Sequence, residues 1–221
     1  MDLDRYELLK PLPTSCLNKI LKVSSCSFYE QGETIFLEHD KINNLYFILQ
    51  GNVTIYKENH LGKRKVIYIL SDGAFINDTI FEENNSTISC DAFTNVKLLT
   101  ISKDNLLKII SEYPIFSTIL IKSLSKKVKR LYRQLKNTTV ISMEKRIAAK
   151  LWKLSSDYGI NYGELTGFSI KISNSYLADM LGTNRETISR SLKKLKELNI
   201  IIYINRELYV KKSEIKNFYR S

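Results

Sequence analysis

Glycine stands at positions 32, 51, 62 and 73, and the residues between fall into short β-branched and aromatic runs at Thr34–Leu37, Leu45–Leu49, Val53–Lys57 and Lys65–Leu70. Runs this short, bounded by turn residues, read as strands and not as helices. "TIS" at Thr87–Ser89 and "VKLLTIS" at Val96–Ser102 continue the pattern. Many short strands spaced by about ten residues can bury their apolar faces only by closing into a barrel or a double-sheet roll. The interior of such a roll is either packed solid or holds a ligand. Phe28, Phe36, Tyr46, Phe47, Phe75, Phe81 and Phe93 are the expected core of this half. "KDNLLKIISEYP" then reads as a helix that breaks at Pro114.

The next segment changes period. In "PIFSTILIKSLSKKVKRLYRQLKN" the apolar residues Ile121, Leu124, Val128, Leu131 and Leu135 recur at intervals of 3 and 4, with Lys126, Lys127, Lys129, Arg130 and Arg133 around them. That is a coiled-coil-like stripe, which predicts a parallel two-fold seam between two copies. Packing of the stripe on its own sensor half is the alternative. A second helix follows in "SMEKRIAAKLWKLSSDYG", with Ile147, Ala148, Leu151, Trp152 and Leu154 as its core face.

The last sixty residues predict a helix–turn–helix. Tyr176–Leu181 is a short helix, and Gly182 ends it because glycine tolerates the left-handed conformation. Thr183 or Asn184 caps the next helix, and Glu186 stands three residues beyond Thr183. Ile188, Leu192 and Leu195 form its buried face, which leaves Arg185, Glu186, Ser189 and Arg190 on the other face near the front. Arginine offers two parallel donors to guanine O6 and N7, and glutamate accepts from an exocyclic amine, so these four are the candidate base readers. Ser189 is small enough to permit close approach. Thr183, Lys193 and Lys194 suit the DNA backbone. "IIIYINRELYVKK" predicts two strands around Asn205 and Arg206, a wing whose turn places Arg206 at a phosphate or the minor groove.

Charge separates the two halves. Met1 to Ile121 carries 12 Lys/Arg against 15 Asp/Glu, a net of −3, whereas Lys122 to Ser221 carries 22 against 8, a net of +14. A polyanion is drawn to the second half. Hydrophobic content of 43% supports packed cores. No run reaches the eighteen apolar residues of a membrane span, and the acidic start "MDLDRYELLKPLP" lacks an apolar signal core. Cys16, Cys26 and Cys90 are isolated and suit a reducing, cytoplasmic location. His39 and His60 have no metal-ligand spacing, and the cysteines do not form an iron–sulfur run. Glu82 and Glu83 lie in "EENNS", which reads as a solvated loop. No nucleophile–base arrangement or phosphate loop occurs, so an enzyme is not expected and neither metal nor cofactor is implied.

With these residues in view, the chain from about Phe28 to Lys212 resembles the bacterial cyclic-AMP receptor and fumarate–nitrate regulator family. "EQGETIF", "LYFILQGNVTIY" and "NRETISR" carry the likeness. The resemblance implies an α+β chain: an N-terminal β-roll of the cyclic-nucleotide-binding jelly-roll type over 1–110, a long dimerisation helix over 111–137 and a C-terminal winged helix–turn–helix over 138–221. It implies a homodimeric transcription regulator on double-stranded, nearly palindromic DNA, with RNA polymerase as a further partner. Arg185, Glu186 and Arg190 match the base-reading positions of the cyclic-AMP receptor, and Ser189 matches the fumarate–nitrate branch. TGTGA- or TTGA-like half-sites follow.

The ligand side departs from the family. The cyclic-nucleotide pattern uses a glycine–glutamate pair and an arginine followed by serine or threonine. Here the corresponding stretches are "GAFINDTIF" and "NNSTIS"; Thr87 stands at the hydroxyl position, but Ser86 falls where arginine would meet the phosphate. No arginine occurs between Arg64 and Arg130, which argues against cyclic AMP. The N-terminal cysteine cluster of the fumarate–nitrate regulator is absent, and the haem-ligand pattern of the carbon-monoxide sensor is not evident. An unknown small-molecule effector, a roll that has lost its ligand, or a thiol switch at Cys16, Cys26 or Cys90 remain. Ile76, Asn77, Asp78, Ser86, Thr87 and Cys90 are the expected lining of an effector pocket. Two rivals stand beside this reading: a cyclic-nucleotide-responsive regulator of the same fold, and a β-roll binding module whose winged domain contacts protein.

Overall fold

The computed structural model describes residues 2–81, 85–136 and 142–220. The expected loop at Glu82 and Glu83 and the expected boundary at residues 137 and 138 lie outside them. The chain divides into two compact units: Met1–Asn59 with Val66–Arg133, and His60–Lys65 with Gln134–Ser221.

The first unit begins with α1 (Thr14–Val23) and continues through β1 (Ser24–Tyr29), β2 (Thr34–Phe36), β3 (Asn44–Gln50), β4 (Asn52–Glu58), β5 (Arg64–Ser71), β6 (Ser89–Ala92) and β7 (Val96–Ser102). The strands form two antiparallel sheets, ordered β1-β7-β3 and β2-β6-β4-β5. Alternation assigns each side chain to a layer. On β3, Leu45, Phe47 and Leu49 join a core with Leu99 and Ile101 of β7 and with Leu17 and Ile20 of α1. Ile48 faces the opposite way and joins Val53, Ile55, Tyr68, Cys90 and Leu98 inside the roll. The β1-β7-β3 sheet is therefore covered on both faces, which is why "LYFIL" reads as an unbroken apolar run. The outer edge of β3 is also covered. Segment 73–77 runs beside it, with Ile48 N–H donating to Ala74 O at 3.0 Å and Ile76 N–H to Tyr46 O at 2.9 Å.

Two of the expected core aromatics are on the surface. Phe28 is 72% exposed and Phe81 42%. Phe28 lies on edge strand β1 opposite Lys97, whose ammonium sits 5.1 Å from its ring centre. Phe36, Phe47 and Phe75 are buried as expected. After β7, α2 (Lys103–Glu112) is capped by the Ser102 hydroxyl, which accepts from Asn105 N–H. Pro114 separates it from α3 (Ile115–Lys136). Phe116, Ile119 and Leu120 bury one face of α3 in the first core. The opposite stripe is open: Ile121 is 61% exposed, Leu135 64%, and Val128 and Leu131 about two-fifths, with Leu124 half-buried.

The second unit contains α4 (Met143–Asp157), β8 (Gly159–Tyr162), β9 (Leu165–Phe168), α5 (Asn174–Leu181), α6 (Arg185–Glu197), β10 (Ile201–Ile204), β11 (Glu207–Lys211) and α7 (Lys212–Arg220). Its sheet is ordered β10-β11-β9-β8 and is antiparallel throughout. Ile147, Leu151, Leu177, Ile188, Leu195, Ile201, Val210 and Ile215, from six elements, are among its fully buried side chains. Trp152 is half-buried and packs on Tyr219 of α7, with ring centres 5.6 Å apart.

Candidate nucleic-acid interface and effector region

The angle between α5 and α6 is set by a three-residue turn. Gly182 adopts φ 65°, ψ 46°, the left-handed conformation that ends α5. Thr183 N–H returns to Ala178 O at 3.1 Å. Asn184, not Thr183, caps α6: its side-chain oxygen accepts from Thr187 N–H at 2.8 Å. The reciprocal Thr183–Glu186 box is therefore not used. That leaves the Glu186 carboxylate on the surface in the first turn, where the helix dipole favours it.

Ile188, Leu192 and Leu195 are at most 3% exposed, and Arg185, Glu186, Ser189, Arg190 and Lys193 lie on the exposed side. The front of α6 thus presents one chemically mixed face: two guanidiniums, a carboxylate and a hydroxyl. Two neighbours that sequence reasoning missed hold it in place. Asn174 at the start of α5 donates to the Ser189 hydroxyl at 2.9 Å. Glu144 in the first turn of α4 accepts from Ser191 at 3.3 Å and pairs with Lys194 at 3.0 Å. The Lys194 ammonium holds the Glu144 carboxyl below its ordinary range. Lys194 accordingly has a structural partner in addition to its expected place at the DNA backbone. Arg146 of α4 donates to Leu181 O at 2.7 Å, placing a cation at the C-terminal end of α5.

The wing is a tight hairpin. β10 pairs with β11 through Ile204↔Glu207, and the two turn residues, Asn205 and Arg206, take φ 50° and 67°. Positive φ at both central positions is the type I′ turn whose twist matches a hairpin. Asparagine tolerates that conformation; arginine does so at a cost.

In the first unit, the six residues expected around an effector do not share one environment. Ile76, Asn77, Asp78 and Cys90 are buried, Ser86 is half-buried and Thr87 is exposed. The side chains of Asn77, Asp78 and Ser86 are hydrogen-bonded within the chain. Asn77 donates to Asn44 O at 2.7 Å and accepts from Tyr46 N–H at 3.0 Å, completing the covered edge of β3. The Ser86 hydroxyl donates to Ile88 O at 2.6 Å. Asp78 accepts from Ser123 at 2.6 Å and pairs with Lys127 at 2.7 Å, both from α3.

Lys127 lies beside the apolar stripe in sequence, and its side chain is only 16% exposed. Its ammonium also donates to Phe75 O and Ile76 O, each at 2.9 Å. Burial pulls this ammonium down, and the Asp78 carboxylate opposes that pull. Tyr68 of β5 donates to Lys127 O at 2.7 Å, and burial pushes its phenol up to about 12, so it stays a donor. The signal for this face was the second spacing on α3, with Ser123 and Lys127 continuing the line from Phe116, Ile119 and Leu120. Of the cysteines, Cys16 and Cys90 are buried and Cys26 is exposed. Burial raises both buried thiols, Cys16 to about 11, which disfavours the reactive thiolate. Among the described residues no His, Cys, Asp and Glu group is arranged to hold a metal ion, and no helix is long and apolar enough to cross a membrane.

Two family models match the chain: the cyclic nucleotide-binding domain over residues 27–113 and the Crp-like helix-turn-helix domain over residues 145–214. The chain is 23% identical over 188 residues to the CRP-like cAMP-activated global transcriptional regulator of Mycobacterium tuberculosis, covering 85% of this chain and 83% of that protein. It is 22% identical over 185 residues to the global nitrogen regulator of Synechocystis, covering 82% of each. Among solved structures, the c-di-GMP-responsive global regulator CLP of Xanthomonas campestris superposes with a TM-score of 0.79 at 20% identity, covering 90% of this chain and 99% of that one. At that identity the superposition speaks to fold.

Proposed function

Because the chain belongs to the cyclic-AMP receptor and fumarate–nitrate regulator family of DNA-binding transcription regulators, we propose that it acts as a homodimer on nearly palindromic double-stranded DNA. Arg185, Glu186, Ser189 and Arg190 read base edges in TGTGA- or TTGA-like half-sites. Thr183, Lys193, Lys194 and Arg206 contact the DNA backbone. Ile121, Leu124, Val128, Leu131 and Leu135 form the seam, and residues 1–110, 111–137 and 138–221 act as sensor, dimerisation helix and DNA-binding domain.

One observation carries this reading: the front of α6 exposes two arginines, a glutamate and a serine while its opposite face is buried. Two guanidiniums and a carboxylate side by side match the donor and acceptor pattern of the major groove. The net of +14 over the last hundred residues supports the electrostatic part of the affinity. Two copies held at α3 would set their recognition helices about 34 Å apart, one helical turn of DNA. A signal at the β-roll would act by shifting the population of that spacing, and a bound dimer would present its outer surface to RNA polymerase. The M. tuberculosis relative is described as cAMP-activated. Here the buried carboxylate at 78 is already paired by Lys127, and no arginine lies nearby in sequence to meet a cyclic phosphate.

The test is selection of bound sequences from a random DNA pool by the purified chain at a fixed salt concentration. A palindrome with TGTGA- or TTGA-like halves is expected, and Arg185→Ala with Arg190→Ala should erase the enrichment. Unselective, salt-sensitive binding in both buffer and cell extract would overturn base reading by these residues.

A further inference from the structure

Ser189 stands one helical turn beyond Arg185 and Glu186 on α6, so it shares their face. A hydroxyl is chemically undecided, because it can donate one hydrogen bond and accept two. The atoms of a base edge are not. Thymine O4 and guanine O6 and N7 only accept, whereas the amines of cytosine and adenine only donate. What Ser189 asks of a base therefore depends on what the protein does with its proton.

In a helix that proton commonly goes to the carbonyl four residues back, which here is Arg185 O. Ser189 makes no such bond, and among the described residues none accepts its proton. Its partner is Asn174, whose side-chain nitrogen donates to Ser189 Oγ at 2.9 Å. Asn174 is the first residue of α5 and is free for this contact because Ser173 does the capping, its hydroxyl accepting from Tyr176 N–H at 3.1 Å. α5 is itself braced, with Leu177, Ala178, Met180 and Leu181 buried. The amide thus takes one serine lone pair and polarises the O–H, which makes it a better donor. At a dried interface an O–H without an acceptor is penalised. The free proton has to find an acceptor on the DNA.

We propose that Asn174 is a positioning residue for base recognition: acting through Ser189, it turns that hydroxyl into a donor aimed at thymine O4 or at guanine O6 or N7. The front of α6 then carries three donors, at Arg185, Ser189 and Arg190, and one acceptor, at Glu186. This rests on base reading by Ser189. Asn174→Asp reverses the polarity. A carboxylate only accepts, so it takes the serine proton and leaves lone pairs that select a base amine. Aspartate is also favourable in the first turn of a helix, so this variant keeps α5.

The test is binding of the full chain to palindromic duplexes built on its selected sequence, at one fixed salt concentration. Ser189→Ala first marks the base pair at which preference is lost. At that pair single atoms are then deleted. 5-Methyl-2-pyrimidinone for thymine, or 2-aminopurine or 7-deazaguanine for guanine, removes an acceptor; purine for adenine, or 2-pyrimidinone for cytosine, removes an amine. Loss of the acceptor should weaken the unaltered chain by about three- to tenfold per half-site, the range of one hydrogen bond, and loss of the amine should not. Asn174→Ala should abolish this sensitivity and keep the rest of the preferred sequence. Asn174→Asp should transfer it to the amine. The proposal is overturned if Asn174→Ala keeps the acceptor sensitivity, or weakens every duplex by one common factor as loss of a phosphate contact or of packing does. It is equally overturned if the unaltered chain senses the amine, or if Ser189→Ala alters no position. Those results leave a selective protein, and so leave the DNA-reading assignment standing. An unaltered chain with no preference at any position fails that assignment, and this proposal with it.

Discussion

Asp78 and Lys127 form the most consequential pair of residues in the first unit. Asp78 is 2% exposed, and its two oxygens take Ser123 and Lys127 from α3. Removing one member of a buried pair strands the other, at a cost of about 3–5 kcal/mol, whereas removing both together costs much less. Asp78→Asn and Lys127→Met should therefore each lower the urea midpoint substantially, and the double variant should recover much of the loss. Additive penalties would show that the two groups are not coupled. Arg206 makes a contrasting case. Its φ of 67° suits glycine at the second position of a type I′ turn. Arg206→Gly should raise stability by about 0.5–1 kcal/mol. It should also weaken DNA binding and reduce the salt slope by roughly one counterion. Unchanged DNA affinity would remove Arg206 from the backbone contacts.

The elements differ in how plainly the sequence announces them. The strands β2 to β5 were legible because glycine turns bound their short β-branched runs, and α6 was legible because a left-handed glycine, a cap and a 4-then-3 apolar spacing coincide. Other elements were not. α1 starts after Pro13 with no side-chain cap and buries only Cys16, Leu17 and Ile20. β8 is exposed along its whole length, so it shows no alternation. At the candidate sites, Asp78 is legible as a pocket residue and Lys194 as a backbone contact, but their partners Lys127 and Glu144 lie far away along the chain. Only the packed structure places Lys127 inside and Glu144 beneath α6. The Glu144–Lys194 pair has a pH signature. Because Lys194 lowers the folded carboxyl below its ordinary value of 4.5, the unfolded chain takes up the proton first. The resulting stabilisation is full above pH 4.5 and lost as pH falls through the lower, folded value. Glu144→Gln should flatten this part of the acid limb, as read by melting temperature between about pH 5 and 3. An acid limb identical to that of the unaltered chain would mean that the pair adds nothing.

At the scale of the whole molecule, the seam proposed for the open stripe on α3 would decide whether the protein works as one copy or two. Val128→Asp with Leu131→Asp puts two carboxylates on that stripe while leaving the buried Phe116, Ile119 and Leu120 face intact. Sedimentation should then give a monomer. Affinity for a palindrome should fall by roughly 10²-fold or more, because the second half-site no longer binds intramolecularly. A surviving dimer would place the seam elsewhere. The split between an acidic first part and a strongly basic second part also separates tasks, since added salt acts mainly on the part that meets DNA. The buried pair between Asp78 and Lys127 has a meaning for descent as well. A lineage changes one residue at a time, and either single loss leaves a charge stranded in the interior. The pair works as a ratchet: with both residues in place, neither can change alone without stranding a charge in the interior.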